Sequence, residues 1–118
     1  MTYDDGILKV CEIVNTAENG SKPVYSLSET ARYYFGFDIV GFNRYYTALS
    51  AKVQIAHVVN IPGWDVISPL SVIVLEDGTQ YRLSQVQPML DDSGLRMTKL
   101  SLERITENYE FAEDQTGG

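Results

Sequence analysis

The stretch LSVIVLEDGTQYRLSQVQP, residues 70–88, decides the fold class of this chain. It holds two runs with the composition of β-strands, joined through Asp77 and Gly78, a dipeptide favoured in tight hairpin turns. Such a turn fixes which residues of the two strands face each other. The stretch therefore predicts a β-hairpin, and with it a sheet built by antiparallel pairing.

Four other segments have the composition or the alternation of strands, and they do not alternate with long helices. They are 6–14, an extended run from Val24 through Phe37 to Ile39, 52–62, and 96–105. The loop Asn15 to Pro23 and the turn Met89 to Leu95 are dense in turn formers. About six strands result, so we predict a mainly all-β chain folded as a small antiparallel barrel, with a sandwich as the alternative.

A short helix is expected after the second strand. Phe42, Tyr45, Tyr46 and Leu49 stand at the spacing i, i+3, i+4 and i+7, which is one helical face. The helix would run from about Phe42 to Ala51. A continued strand is the alternative, because Tyr and Phe also favour strands.

The length of 118 residues corresponds to one domain, for which we predict the bounds 1–109, followed by a flexible acidic tail over 110–118. The formal net charge of −7 gives the surface a field that repels phosphate. Cys11 is the only cysteine, which excludes an internal disulfide and a multi-cysteine metal site. No signal peptide or membrane span is recognisable, so we expect a cytosolic chain with no membrane partner.

Candidate chemical groups are few. His57 lies in an apolar strand, and no spacing places a nucleophile or an orienting acid beside it, or beside Cys11. The acidic pairs lie at the N-terminus or at predicted turns, where Asp has a backbone role. They are Asp4–Asp5, Glu76–Asp77 and Asp91–Asp92. We predict no catalytic, cofactor-binding or metal site, and hence no enzyme.

Seven of the thirteen aromatic residues lie between Tyr33 and Ala51, where a core, an assembly surface and a stacking platform for bases would all use rings. We assign one set to the core: Phe35, Phe37, Phe42, Leu49, Val53 and Ile55. A second set is assigned to assembly contacts: Arg44, Tyr45, Tyr46, Trp64, Asp65, Tyr109 and Phe111. A groove for single-stranded nucleic acid, formed by Arg32, Arg44, Lys52 and the tyrosines, is the alternative.

Two long stretches resemble a known protein family. VGFNRYYTALSAKVQIAHVVNIP, and VIVLEDGTQYRLSQVQPMLDDSGLRMTKLSLERI after it, are similar to the head-tail adaptor, or head closure, proteins of long-tailed bacteriophages with Gram-positive hosts. Three features carry the resemblance: the aromatic helix RYYTALSA, the hairpin end QYRLSQVQ and the closing strand TKLSLERI. It covers roughly Ile7 to Tyr109.

The resemblance implies a small β-barrel that is monomeric when free and forms a ring in the virion. In that family, copies lie between a portal-side adaptor and a tail-side completion protein, help to retain the packaged DNA and offer a platform for the tail. The genome would pass without specific binding. The loop 15–23 and the turn 62–69 would contact neighbours, and a tail-completion role in the same connector is the nearest alternative. The chain would be made in the host cytoplasm and act in the virion.

Overall fold

A computed structural model describes residues 3–17, 20, 22–39, 55–106 and 108–111. Seven strands are present in this part of the chain. They are β1 (Gly6–Asn15), β2 (Tyr25–Phe37), β3 (Ile55–Pro62), β4 (Val72–Val74), β5 (Gln80–Leu90), β6 (Arg96–Arg104) and β7 (Glu110–Phe111). The predicted helix 42–51 lies outside the described residues, as do Phe42, Leu49 and Val53 of the predicted core.

The strands form one mixed sheet whose pairings close into a ring. β1 pairs antiparallel with both β2 and β4, and the order continues through β5, β6 and β3 back to β2. β7 is added outside this ring and is parallel to β2, which the sequence did not predict. The prediction of a mainly β chain with antiparallel pairing is confirmed for the six strands of the ring.

The predicted hairpin is present, with a shorter first strand than expected. β4 and β5 pair over three positions, with Val72 opposite Arg82 at one end and Val74 opposite Gln80 at the other. Next to the turn, Leu75 N donates to Thr79 O at 3.1 Å. Gly78 has φ +86°, and its N–H donates to Leu75 O at 2.8 Å. The three-residue loop therefore depends on a left-handed glycine. A turn in which Ser71 N donates to Ser68 O at 3.0 Å precedes β4, so Leu70 is not part of the strand.

The main core lies on one face of the ring strands and follows their alternation. Leu8, Phe35, Val59, Ile73 and Leu100 are among its fully buried members. The predicted core residue Phe35 belongs to this cluster and is 1% exposed. The predicted core residue Ile55 does not belong to it but is also buried, with an exposed fraction of 6%.

The assignment of Phe37 to the core is wrong, since its side chain is 43% exposed. The reason is its place at the end of β2. The β1–β2 register ends with Gly6 opposite Phe35, so β1 has no residue opposite Phe37. The Phe37 ring instead contacts Phe35 edge-on at a centroid distance of 5.2 Å and His57 at 5.1 Å.

A smaller apolar cluster lies on the opposite face of the sheet. Val72 and Val74 alternate with the core residue Ile73, and they pack with Cys11 and Leu27. Ile105, Tyr109 and Phe111 cover this cluster. The sheet thus includes Glu110 and Phe111, two residues beyond the predicted domain boundary at 109. In the described part of the chain, no helix is long and apolar enough to cross a membrane.

Candidate assembly surface

The predicted assembly residues fall into two places in the described structure. Trp64 and Asp65 lie in the connection from β3 to β4, one residue after β3 ends, whereas Tyr109 and Phe111 lie near the C-terminal end of the described residues. Arg44, Tyr45 and Tyr46 lie outside the described residues. In both places the predicted residues make contacts within the chain.

Trp64 fixes the β3–β4 connection against the β5–β6 hairpin. Its indole Nε1 donates to Met89 O at 2.8 Å, and the Arg96 guanidinium lies 4.7 Å from its ring centroid. The preceding residue, Gly63, has φ +83° and accepts a hydrogen bond from Thr98 Oγ1 at 2.7 Å. The indole remains 43% exposed. Its polar atom is therefore satisfied internally while part of its apolar surface faces solvent.

Asp65 ties the same connection to β2. Its Oδ2 accepts a hydrogen bond from Tyr33 Oη at 2.8 Å. Burial, with this hydrogen bond and the carboxylate charge, raises the pKa of Tyr33 to about 12. The phenol therefore stays a hydrogen-bond donor throughout the physiological pH range. The connection is held at Trp64 and Asp65, between two different parts of the sheet.

Beyond these anchors the connection exposes apolar side chains. Val66 is 100% exposed and Leu70 is 84% exposed. Leu90 of β5 is 55% exposed; it pairs with Arg96 and follows Met89, whose O accepts from the Trp64 indole. We call Trp64, Val66, Leu70 and Leu90 the connection patch. Sequence reasoning missed its three aliphatic members. Val66 had a readable signal, because it lies among Pro62, Gly63, Ser68 and Pro69 and not in a strand pattern, whereas Leu70 is at the start of the predicted hairpin and Leu90 in a predicted turn.

A cleft of about 460 Å³ runs between the connection and β5. Its apolar lining includes Trp64, Ile67, Leu83, Val86 and Pro88. Among the described residues, β5 pairs with β4 only over residues 80–82, and beyond them it pairs with β6 alone. The far part of β5 is therefore a sheet edge, where a proline such as Pro88 is tolerated because one side of the strand has no ladder partner.

At the C-terminal end, Asn108–Phe111 form a segment that we call the strap. The amide of Gln80 makes two hydrogen bonds with Tyr109, donating to its O at 2.7 Å and accepting from its N–H at 2.8 Å. Lys9 Nζ lies 5.1 Å from the centroid of the Phe111 ring. Both rings are half-buried against the cluster around Cys11. The rings predicted as contacts to other proteins hold the end of this chain on its own sheet.

The two groups considered for chemistry lie in different surroundings. His57 packs between the rings of Phe37 and Tyr81, at 5.1 and 5.5 Å, and burial together with the nearby Arg104 lowers its pKa. Cys11 belongs to the cluster under the strap, where burial and the charge of Glu29 raise the pKa of its thiol to about 11. Each is packed as a structural side chain. No three His, Cys, Asp or Glu side chains of the described residues converge as a metal site would require.

Two residues of the acidic pairs, Asp77 and Asp91, accept hydrogen bonds within turns. Asp77 Oδ1 accepts from Thr79 N at 3.0 Å, and this hydrogen bond lowers the pKa of the carboxyl. Asp91 Oδ1 accepts from the backbone N–H groups of Ser93 and Leu95, each at 2.9 Å. Their positions agree with the backbone role that the sequence predicts for turn aspartates.

Most of the described basic side chains are engaged within the chain. Carboxylates pair with Arg32, Arg82 and Lys99, and aromatic rings contact Lys9 and Arg96. The predicted nucleic-acid groove needs Arg32, but its guanidinium pairs with Glu29. Arg44 and Lys52, the other two cations of that groove, lie outside the described residues.

The chain matches no family model and no curated protein. Its fold is similar to a solved structure. The solution structure of protein SF1141 from Shigella flexneri 2a aligns with a TM-score of 0.60 over 86% of this chain and 94% of that one. Only 14% of the aligned residues are identical, so the likeness concerns the fold alone.

Proposed function

We propose that this protein is a structural subunit of a phage head-tail connector, which joins the DNA-filled head to the tail and helps to close the head after packaging. The sequence resemblance over Ile7 to Tyr109 suggests the kind of assembly. The ring of six paired strands supports the small barrel that the resemblance implies. We propose no catalytic step for the chain.

The observation that carries the proposal is the connection patch. A monomeric protein tolerates isolated exposed apolar residues, but contiguous apolar patches indicate a binding surface. Here an exposed Trp and a fully exposed Val line an apolar cleft beside a sheet edge, and the exposed Leu70 and Leu90 lie in the same connection and in β5. Aromatic residues and Arg are enriched at interface centres, and Trp64 lies against Arg96. We propose that neighbouring connector proteins cover this patch.

The charge distribution supports a conduit for DNA. A surface that neutralises phosphates gains affinity by counterion release and would hold the passing duplex. This chain has a net charge of −7, and five of its seven described basic side chains contact a carboxylate or a ring of the same chain. We therefore propose that the genome passes nearby without specific binding.

The proposal is tested with a charge in the patch. Val66→Asp changes a side chain that is 100% exposed, so the fold should be kept while an uncompensated charge enters the interface. We expect the yield of joined particles to fall by at least about tenfold, the effect of losing roughly 1.4 kcal/mol of binding. Tyr34→Asp, at a position on β2 that is 64% exposed, is the matched control and should assemble normally. Normal assembly of the Val66 variant would remove the patch from the proposal.

A further inference from the structure

The strap occupies an apolar face as an added edge strand does. The face consists of Cys11, Leu27, Val72 and Val74, each at most 5% exposed. Tyr109 and Phe111 of the strap are half-buried on it, while Glu110 between them is exposed. Backbone pairing with alternate side chains in pockets is the usual geometry of strand addition between chains. The face therefore holds a short extended segment of this chain with rings two residues apart.

The strap is attached by few interactions. It pairs with β2 through Ser26–Glu110 and Leu27–Phe111 only, whereas β1 pairs with β2 over ten residues. The side chain of Gln80 replaces a neighbouring strand on its other side. Short terminal elements with few pairings open at a lower free energy than the rest of a sheet. The strap is thus the described element that leaves the sheet most easily.

We propose that the face under the strap is a docking surface for the strap of a second copy, so that copies of this chain join by exchanging C-terminal segments. The equivalent segment of a neighbour would meet the same partners, namely the β2 edge, the Gln80 amide and the cluster around Cys11. Exchange replaces each contact that the strap makes within its own chain by the same contact between two chains. The local concentration of copies therefore decides whether a strap lies on its own sheet or on that of a neighbour. The inference goes beyond the connector role and holds for any assembly of this chain.

Cys11 reports whether the strap is in place. It is the only cysteine, and it is 0% exposed under the strap. We expect a thiol reagent to label the double variant Tyr109→Ala, Phe111→Ala at least about tenfold faster than the wild-type chain, because two ring contacts that close the face are lost. Tyr34→Ala, which removes a 64% exposed ring of β2 away from the residues that pair with the strap, should leave the labelling rate unchanged. Equal rates for the double variant and the wild type would overturn the proposal.

Docking in trans is tested with a fluorescein-labelled peptide of residues 105–111, ITENYEF. We expect the peptide to bind the double variant by fluorescence anisotropy and to slow the labelling of Cys11 towards the wild-type rate. Binding to the wild-type chain should be weaker, since its own strap competes. A peptide carrying Tyr109→Ala and Phe111→Ala is the control and should do neither.

If the double variant exposes Cys11 but the normal peptide neither binds nor protects it, the face does not accept a strap from another chain and the proposal fails. Circular dichroism checks that the double variant keeps its β signal, and Phe111→Ala alone takes its place if it does not. These measurements involve no phage particles. Their failure is therefore distinguishable from failure of the connector role.

Discussion

At the scale of single residues, Gly6 is a position where backbone and neighbour leave no room for a side chain. Its φ is +137°, and an added Cβ would lie 3.0 Å from the Cβ of Glu76. The Glu76 carboxylate cannot move away freely, because it accepts a hydrogen bond from Ile7 N at 2.6 Å. Gly78 also has a positive φ, of +86°, but an added Cβ there would meet nothing within 4 Å.

We therefore expect Gly6→Ala to lower the free energy of unfolding by about 2–4 kcal/mol, through backbone strain and a steric clash together. Gly78→Ala serves as the matched control and should cost about 1–2 kcal/mol, because strain acts alone. Urea denaturation of both variants measures the difference. Equal losses of stability would show that the contact with Glu76 has no energetic weight.

Cys11 gives the stability a pH dependence. The pKa of its thiol is about 11 in the folded chain, against an ordinary value of 9.0. Between these pH values the folded chain holds a proton that the unfolded chain has released. The thiol's contribution to the free energy of unfolding is therefore complete below pH 9 and is lost as the pH rises to about 11. The slope for one proton is at most about 1.4 kcal/mol per pH unit.

We expect Cys11→Ala to be less stable than the wild type at pH 8, because a buried side chain is truncated, and to lose less further stability up to pH 11. Urea denaturation at a series of pH values measures both curves. Parallel curves for the two chains would show that the thiol does not titrate with the fold.

At the scale of elements, the β5–β6 turn depends on one carboxylate. Asp91 Oδ1 accepts hydrogen bonds from two backbone N–H groups, those of Ser93 and Leu95. We expect Asp91→Ala to cost about 1–2 kcal/mol of stability, since both donors lose their partner. Asp92→Ala, the neighbouring exposed carboxylate, should change stability by less than about 0.5 kcal/mol. Thermal or urea unfolding of the pair decides whether Asp91 has this role.

The strands that the sequence predicts are those with a local signal. The Asp77–Gly78 turn and the alternation within β1, β2, β3 and β6 are visible in the sequence, and the structure has strands there. β7 could not be predicted, because a two-residue strand has no periodicity and its place depends on Gln80, twenty-nine residues away. The short length of β4 could not be predicted either, because an apolar run does not show where strand pairing ends and a turn begins.

At the scale of the whole molecule, the sequence identified candidate contact residues but not their partners. Trp64 and Asp65 were predicted as assembly contacts, and the structure pairs them with Met89 O and Tyr33. Those partners are 25 and 32 residues away, so no local pattern announces them. Exposure of Val66 and Leu70 likewise depends on how the connection lies against β2 and β5. A sequence pattern shows which residues are apolar, whereas their exposure depends on which distant residues the folded sheet places beside them.

The charge of the molecule predicts a negative result with nucleic acid. We expect a fluorescent single-stranded oligonucleotide to show no change of anisotropy with the protein at low salt, where electrostatic binding is strongest. The physical reason is the net charge of −7 and the pairing of Arg32 with Glu29. Saturable binding that weakens with added salt would instead favour the nucleic-acid alternative.

Electron microscopy of particles from a phage or prophage that carries this gene, with and without the gene, tests the proposed connector role. We expect DNA-filled or emptied heads and free tails to accumulate unjoined when the protein is absent, and joined virions to return when the protein is supplied. Joined virions at normal yield in its absence would contradict the claim.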